Sequence, residues 1–300
     1  AAIYTTREDI GTVLIERGVV GGLAAVTDKI DNYPGFQNGI EGLQLADNLR
    51  EQAERFGAEI RLGEVTNLAV EGDDIKRLET TDGDIYAKSV LIATGTDYKK
   101  TGIPGEDEYY ARGVHYCATC DGAFYRDKRL VLVGGGNSAV QEGLFLTRYA
   151  SHIDMLVRSD LKASEVLQHD LDAMVVKTGK ITVHLQTTTD EIIGEGNKVT
   201  KVIGTDKKTG KKVEFPTDGV FVFIGLTPNT GFLRHIPELE FDQIGFIVAD
   251  DSLQTALPGV FVAGDVRKGA TMQIATATGE GATAALKIRQ YLESHFKDGA

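Results

Sequence analysis

Arg129-Leu-Val-Leu-Val133, followed at once by Gly134-Gly-Gly-Asn-Ser-Ala139, leaves few architectures open. The apolar run predicts a buried strand, and the G-x-G-x-x-A pattern predicts a tight turn that opens a helix. A strand, turn and helix in that order aim backbone N–H groups and the positive end of the helix dipole at a pyrophosphate. Gly134, Gly136, Asn137, Ser138 and Ala139 are therefore the candidate contacts to a dinucleotide.

Three more apolar strands end in comparable turns: Val90-Leu-Ile-Ala-Thr-Gly95, Gly219-Val-Phe-Val-Phe-Ile-Gly225 and Gly259-Val-Phe-Val-Ala-Gly-Asp265. The glycine loop lies between the first and the second, so one nucleotide-binding domain is expected to be inserted in another. Crossings are placed near Thr96-Asp97 and Thr227-Pro228-Asn229, where glycine, proline and polar residues interrupt the apolar pattern. The expected division is 1–97 with 228–300, and an insert over 98–227. Leu43 to Phe56 reads as an amphipathic helix with Leu45, Leu49, Ala53 and Phe56 on one stripe. Ile60 to Ile85 and Ile181 to Phe215 alternate like small antiparallel sheets, the second with turns at Gly194-Glu-Gly196 and Thr209-Gly210. The fold class is α/β, with two nested Rossmann-like domains in three layers.

Ala1 to Arg7 has helix character, and Thr12-Val-Leu-Ile-Glu16 reads as a short strand ending in an acid. In a dinucleotide fold that acid binds a ribose hydroxyl about 20 residues after the first glycine of the loop. Counting back from Glu16 passes Ala1, so the first strand and its loop are expected to precede the first residue. The alternative is a half that binds its nucleotide without that cradle.

The 300 residues contain two cysteines, and both fall in Cys117-Ala-Thr-Cys120-Asp121. Structural zinc needs about four nitrogen or sulfur ligands, and neither a second C-x-x-C nor a close histidine pair exists, so no metal is expected. A structural disulfide across so short a loop would remove little unfolded-state entropy. Redox chemistry is the reading that remains, beside a dinucleotide site. Asp121 can carry a proton for the sulfurs, or it can be a helix cap or turn residue. His115 reads as a bystander.

A net charge of −12 repels phosphate backbones and argues against a nucleic-acid partner. Lys207-Lys208 and Lys211-Lys212 flank a turn and read as a solvated hairpin. No apolar run approaches the roughly eighteen residues of a membrane helix, so no membrane association is expected. So few cysteines suit a reducing cytoplasm.

The motifs AAIYTTR at 1–7, Asn32-Tyr-Pro-Gly35, ATG at 93–95, CATCDG at 117–122, GGGNSAVQE at 134–142, GLTPNT at 225–230, and Gly264-Asp265 with Gln273-Ile-Ala-Thr-Ala277 occur in one order. As an ordered set they closely resemble the low-molecular-weight thioredoxin reductases, from Ala1 to about Leu292. The resemblance implies a discontinuous FAD domain built from both ends of the chain, an inserted pyridine-nucleotide domain carrying the cysteines, and a homodimer. It implies hydride transfer from NADPH to FAD, then electrons to the Cys117–Cys120 disulfide, then to thioredoxin. Cys120 would face the flavin, Cys117 would attack the partner disulfide, and Asp121 would give and take the proton. The FAD contacts it carries over are Glu16, Asn32, Ala93, Gly95, Gly264, Asp265 and Gln273.

The chain departs from that pattern at Gly21-Gly22-Leu23, at Met272, and at Val157-Arg158-Ser159-Asp160-Leu161-Lys162, where only Arg158 matches the usual arginines. An NAD site normally has an acid at the end of that strand, whereas Arg158 and Ser159, with Lys162, suit a 2′-phosphate. NADPH is the expected donor; NADH, a reduced flavin or a ferredoxin-type donor are the alternatives. Another small dithiol protein could replace thioredoxin. A non-catalytic flavin-binding relative is the third reading, against which the intact CATCD stands.

Overall fold

The computed structural model describes residues 1–296 except Val26, Asp28 and Asp73. The chain divides into two compact units, one of residues 1–97 with 227–300 and one of residues 98–226.

The first unit opens with α1 (Ala2–Arg7), β1 (Val13–Glu16), α2 (Gly22–Ala25) and α3 (Gly42–Arg55). On α3, Leu45 and Ala53 are buried, and the stripe ends at Phe56, whose ring lies under the guanidinium groups of Arg7 and Arg55. β2 (Glu59–Leu62) pairs in parallel with β1, with Val13 opposite Glu59. The alternation from Ile60 therefore does not start the antiparallel sheet, which consists of β3 (Val65–Glu71), β4 (Ile75–Thr80) and β5 (Gly83–Ala87). Alternation reports one half-exposed face and is silent about the direction of the neighbouring strand. β6 (Val90–Ile92) is shorter than its apolar run, which leaves Ala93 and Gly95 in a loop before β7 (Thr96–Tyr98).

The second unit begins with β8 (Val114–His115), α4 (Ala118–Asp121) and a single 3-10 turn, Gly122–Tyr125. β9 (Arg129–Val133), α5 (Asn137–Leu146), β10 (His152–Val157), α6 (Glu165–Thr178) and β11 (Ile181–Leu185) then alternate strand and helix. β12 (Thr187–Glu195), β13 (Lys198–Asp206) and β14 (Lys211–Pro216) form an antiparallel sheet, and β15 (Gly219–Val222) returns to the parallel one. The five parallel strands run in the order β11-β10-β9-β15-β8. β11 thus belongs to the parallel sheet, and only the segment after it is antiparallel.

Period-two alternation explains the three layers of this unit. Leu130, Leu132, Ile153, Met155 and Val157 face Val140, Leu146 and Leu171 of α5 and α6. Val131, Val133, Leu156, Val220 and Val222 face Ile192, Val202 and Phe215 of the antiparallel sheet. Both faces are covered, so the strands read as unbroken apolar runs.

The chain returns through β16 (Leu226–Pro228) to β17 (Val260–Val262) and α7 (Ile274–His295). β17 pairs in parallel with β6, Val260 opposite Val90, and α7 packs Ile288 and Tyr291 against Phe261. At the crossings, the Lys99 N–H donates to the Gly225 carbonyl inside the second unit, and the Asn229 N–H donates to the Gly95 carbonyl inside the first. Among the described residues no helix is long and apolar enough to cross a membrane, and no cluster of His, Cys, Asp or Glu could hold a metal ion.

Candidate functional site

Cys117 and Cys120 are joined as a disulfide with Cα atoms 5.3 Å apart, both half-buried. Cys117 is the N-cap of α4, its Sγ accepting the Cys120 N–H at 3.2 Å. Two anchors hold this short turn. Ala118 is fully buried in the core against α5, and a Cβ on Gly122 would stand 2.8 Å from Leu146 Cδ2. From α5, the Glu142 carboxyl accepts the Ala118 N–H; burial raises its pKa above the ordinary range.

Tyr116, beside Cys117, is buried and donates its hydroxyl to Glu106 at 2.8 Å. Glu106 also accepts the N–H groups of Thr101 and Gly102 at 2.9 and 2.7 Å. Burial pushes the Glu106 carboxyl up, but these donors hold it below its ordinary range.

Asp121 ends α4, half-buried. Its carboxylate lies 3.3 Å from Nδ1 of His115, and His115 Nε2 lies 2.7 Å from the Tyr125 hydroxyl. His115 is therefore no bystander. The contact spans six residues that no helical or strand period relates, so the sequence carries no signal for it.

The glycine turn leaves β9 as expected. Gly134 has φ of 144°, and a Cβ there would sit 2.4 Å from the Phe223 carbonyl oxygen. At Gly136, the N-cap of α5, a Cβ would meet nothing within 4 Å. The first glycine serves the backbone, and the open space at Gly136 suits a ligand. Ala139 is fully buried and seats α5 on the sheet, Ser138 is exposed, and Asn137 Oδ1 accepts the Ser164 N–H at 2.8 Å. Asn137 thus ties the turn to the segment after β10.

Past the end of β10, Arg158 is exposed and Ser159 half-buried. Lys207 Nζ reaches the Arg158 carbonyl oxygen at 3.4 Å, and Gln186 donates to the Asp160 carboxylate at 3.1 Å. Lys207 is a cation of this corner rather than only a hairpin surface residue. The β12–β13 sheet brings it there from 49 residues away.

In the first unit, Asn32 Nδ2 donates to Gln273 Oε1 at 3.0 Å, and Gln273 is the N-cap of α7. Met272, just before it, has φ of 56°, a left-handed conformation that a non-glycine residue adopts only when its surroundings hold it. Gly95 and Gly264 also have positive φ, and a Cβ on Gly95 would meet open space. The half-buried Asp265 carboxyl makes no side-chain hydrogen bond among the described residues; burial, then Glu280, pushes its pKa up. Glu280 accepts the Gly264 N–H at 2.8 Å and pairs with Arg267. Glu16, at the end of β1, accepts the Gly18 N–H at 2.8 Å.

Residues 1–281 match the pyridine nucleotide-disulphide oxidoreductase family. The chain belongs to that family. The thioredoxin reductase of Bacillus subtilis (strain 168) is 41% identical over 294 residues, covering 98% of this chain and 90% of that protein. Among solved structures, thioredoxin reductase from Streptococcus pyogenes MGAS5005 matches with a TM-score of 0.90 at 39% identity, over 98% of this chain and 94% of that one. Lactococcus lactis thioredoxin reductase, solved in its FR conformation, has the same identity and coverage but a TM-score of 0.64. This oxidoreductase thus shares the two-domain α/β fold of those solved structures.

Proposed function

We propose that the chain is a thioredoxin-disulfide reductase, in which residues 1–97 with 228–300 hold FAD, the insert over 98–227 holds NADPH, and a homodimer in the cytoplasm is the working form. The observation that carries this reading is the half-buried Cys117–Cys120 disulfide in the same unit as the open glycine turn of β9. Thioredoxin reductases match this arrangement across nearly the whole chain.

The residues present suit FAD. Among the described residues no side chain or backbone N–H donates to the half-buried Asp265 carboxyl, which leaves it for a ribityl hydroxyl or a pyrophosphate-side water. Asn32 and Gln273 converge at the start of α7, and Gly95 leaves open space for a group that approaches the backbone. Glu16 is the ribose acceptor, and Ala93 and Gly264 complete the lining. Bound FAD supplies hydride acceptance and two-electron transfer, which no amino-acid side chain provides.

The chain's own chemistry is thiol–disulfide exchange. Two electrons break the Cys117–Cys120 bond and leave two sulfurs, and a proton from water, carried at the Asp121 carboxyl, leaves one thiol and one thiolate. Cys117 thiolate attacks the partner disulfide, forming a mixed disulfide and releasing a partner thiolate that takes the proton. Cys120 then attacks the Cys117 sulfur, re-forming the intramolecular disulfide and freeing the reduced partner.

For the donor, Arg158, Ser159, Lys162 and Lys207 give the end of β10 a cationic corner, while Asp160 is engaged by Gln186. That favours a 2′-phosphate over a bare ribose diol. Anaerobic titration with NADPH, NADH and dithionite, following the flavin absorbance, tests the whole reading. Bleaching by NADPH at lower concentration than NADH is the expected result. Bleaching by dithionite alone means a donor other than a nicotinamide, and no flavin band removes FAD from the proposal.

A further inference from the structure

His115 lies in β8, opposite Phe221 of β15 in the parallel register, and is 8% exposed. Its ring is clamped between Tyr125, edge-on at 5.2 Å, and Phe221 at 5.3 Å. Tyr125 is seated over Gly219, where a Cβ would stand 2.4 Å from the phenol ring. The imidazole therefore has one orientation, fixed by the sheet core rather than by the redox turn.

That orientation aims the two ring nitrogens at different partners. Burial, then Asp121 and Asp218, hold the Tyr125 hydroxyl well above its ordinary pKa, so it keeps its hydrogen. At 2.7 Å the phenol shares a hydrogen bond with His115 Nε2, and Nδ1, across the ring, lies 3.3 Å from the Asp121 carboxylate. Among the described residues His115 is the one Lys, Arg or His side chain within 4 Å of that carboxylate. The other titratable groups that act on this cluster are Tyr110 and, ahead of β15, Asp218.

We infer that His115 is the positioning residue for Asp121: its imidazole, clamped by Phe221 and Tyr125, holds the carboxylate in the orientation from which it serves exchange between the reduced cysteine pair and a disulfide. The inference rests on the reading of Asp121 as the proton carrier. Removing the ring leaves the carboxylate without that neighbour, so exchange slows while binding of the disulfide partner is unchanged.

The test uses the purified protein reduced with excess dithiol and then freed of it. Reoxidation by oxidised thioredoxin and by a small aromatic disulfide is followed across pH, together with the ultraviolet absorbance of the thiolate. H115L should slow exchange about tenfold at neutral pH, leaving KM for thioredoxin unchanged. H115N, whose amide nitrogen stands near the Nδ1 position, should recover most of the rate. Y125F should slow exchange in the same direction as H115L, and it stands as the second probe should H115L fold poorly. Profiles for H115L and Y125F that superimpose on the parent, while D121N loses about a hundredfold, would overturn the role of His115 and leave Asp121 in place. A D121N protein with unchanged rate and profile would overturn both.

Discussion

Gly134 and Gly136 are two residues apart in one motif, yet the surroundings separate their roles. Ala at Gly134 must hold φ near 144° and press a Cβ against the Phe223 carbonyl, so G134A should lose about 3 kcal/mol in urea unfolding. Gly136 has φ of −92° and open space, so G136A should stay within about 0.5 kcal/mol of the parent while weakening NADPH binding in fluorescence titration. Equal stability losses would show that both glycines serve only the backbone. At the cysteines, two thiols should appear in the parent after reduction and one in C120S, and C120S should lose thioredoxin turnover because nothing resolves the mixed disulfide. Retained turnover would remove Cys120 from the exchange. The residue types at these positions were legible because their chemistry is local. The partner of Asp121 was not, since residues 115, 121 and 125 meet only when β8, α4 and the 3-10 turn pack on Phe221.

Strands β9, β10 and β11 are joined by one carboxylate. Asp154 is 7% exposed, accepts from His184 Nε2 at 2.9 Å, and pairs with Arg129 at 3.2 Å and His152 at 3.5 Å. Burial pushes its pKa up, but these partners hold it below the ordinary carboxylate value. A depressed folded pKa means that the stabilisation is complete above the unfolded value of about 3.9 and is lost as pH falls through the folded one. D154A should therefore cost about 2 kcal/mol at neutral pH, with the gap to the parent narrowing below about pH 4 in urea titrations. A gap independent of pH would assign the loss to packing alone. The same scale explains which strands were legible. The buried runs of β9, β10, β15 and β17 stand out because both faces are covered. β2 and β11 resemble antiparallel strands because their exposed edges alternate, and only pairing with β1 and β10 fixes their direction.

At the scale of the whole molecule, residues 98–226 have cores of their own on both faces of the parallel sheet, and their ends meet where the Lys99 N–H bonds the Gly225 carbonyl. A fragment of those residues should fold alone with one cooperative transition and two thiols titrating only after reduction; a broad, non-cooperative melt would show that the insert depends on the rest of the chain. Nesting was legible because turn chemistry and strand composition are written in consecutive residues: glycine at positive φ, apolar runs closed by polar turns, two cysteines at one spacing. Those local rules by themselves determined the α/β class and the spacing that lets the two cysteines pair. Tertiary structure alone decided what is set by distance rather than order: the side-chain bond between Asn32 and Gln273, Lys207 beside Arg158, and the chain of Tyr125, His115 and Asp121. Each joins residues that share no period along the chain, so packing, which brings their polar atoms within hydrogen-bond reach, is the physical cause of the contact.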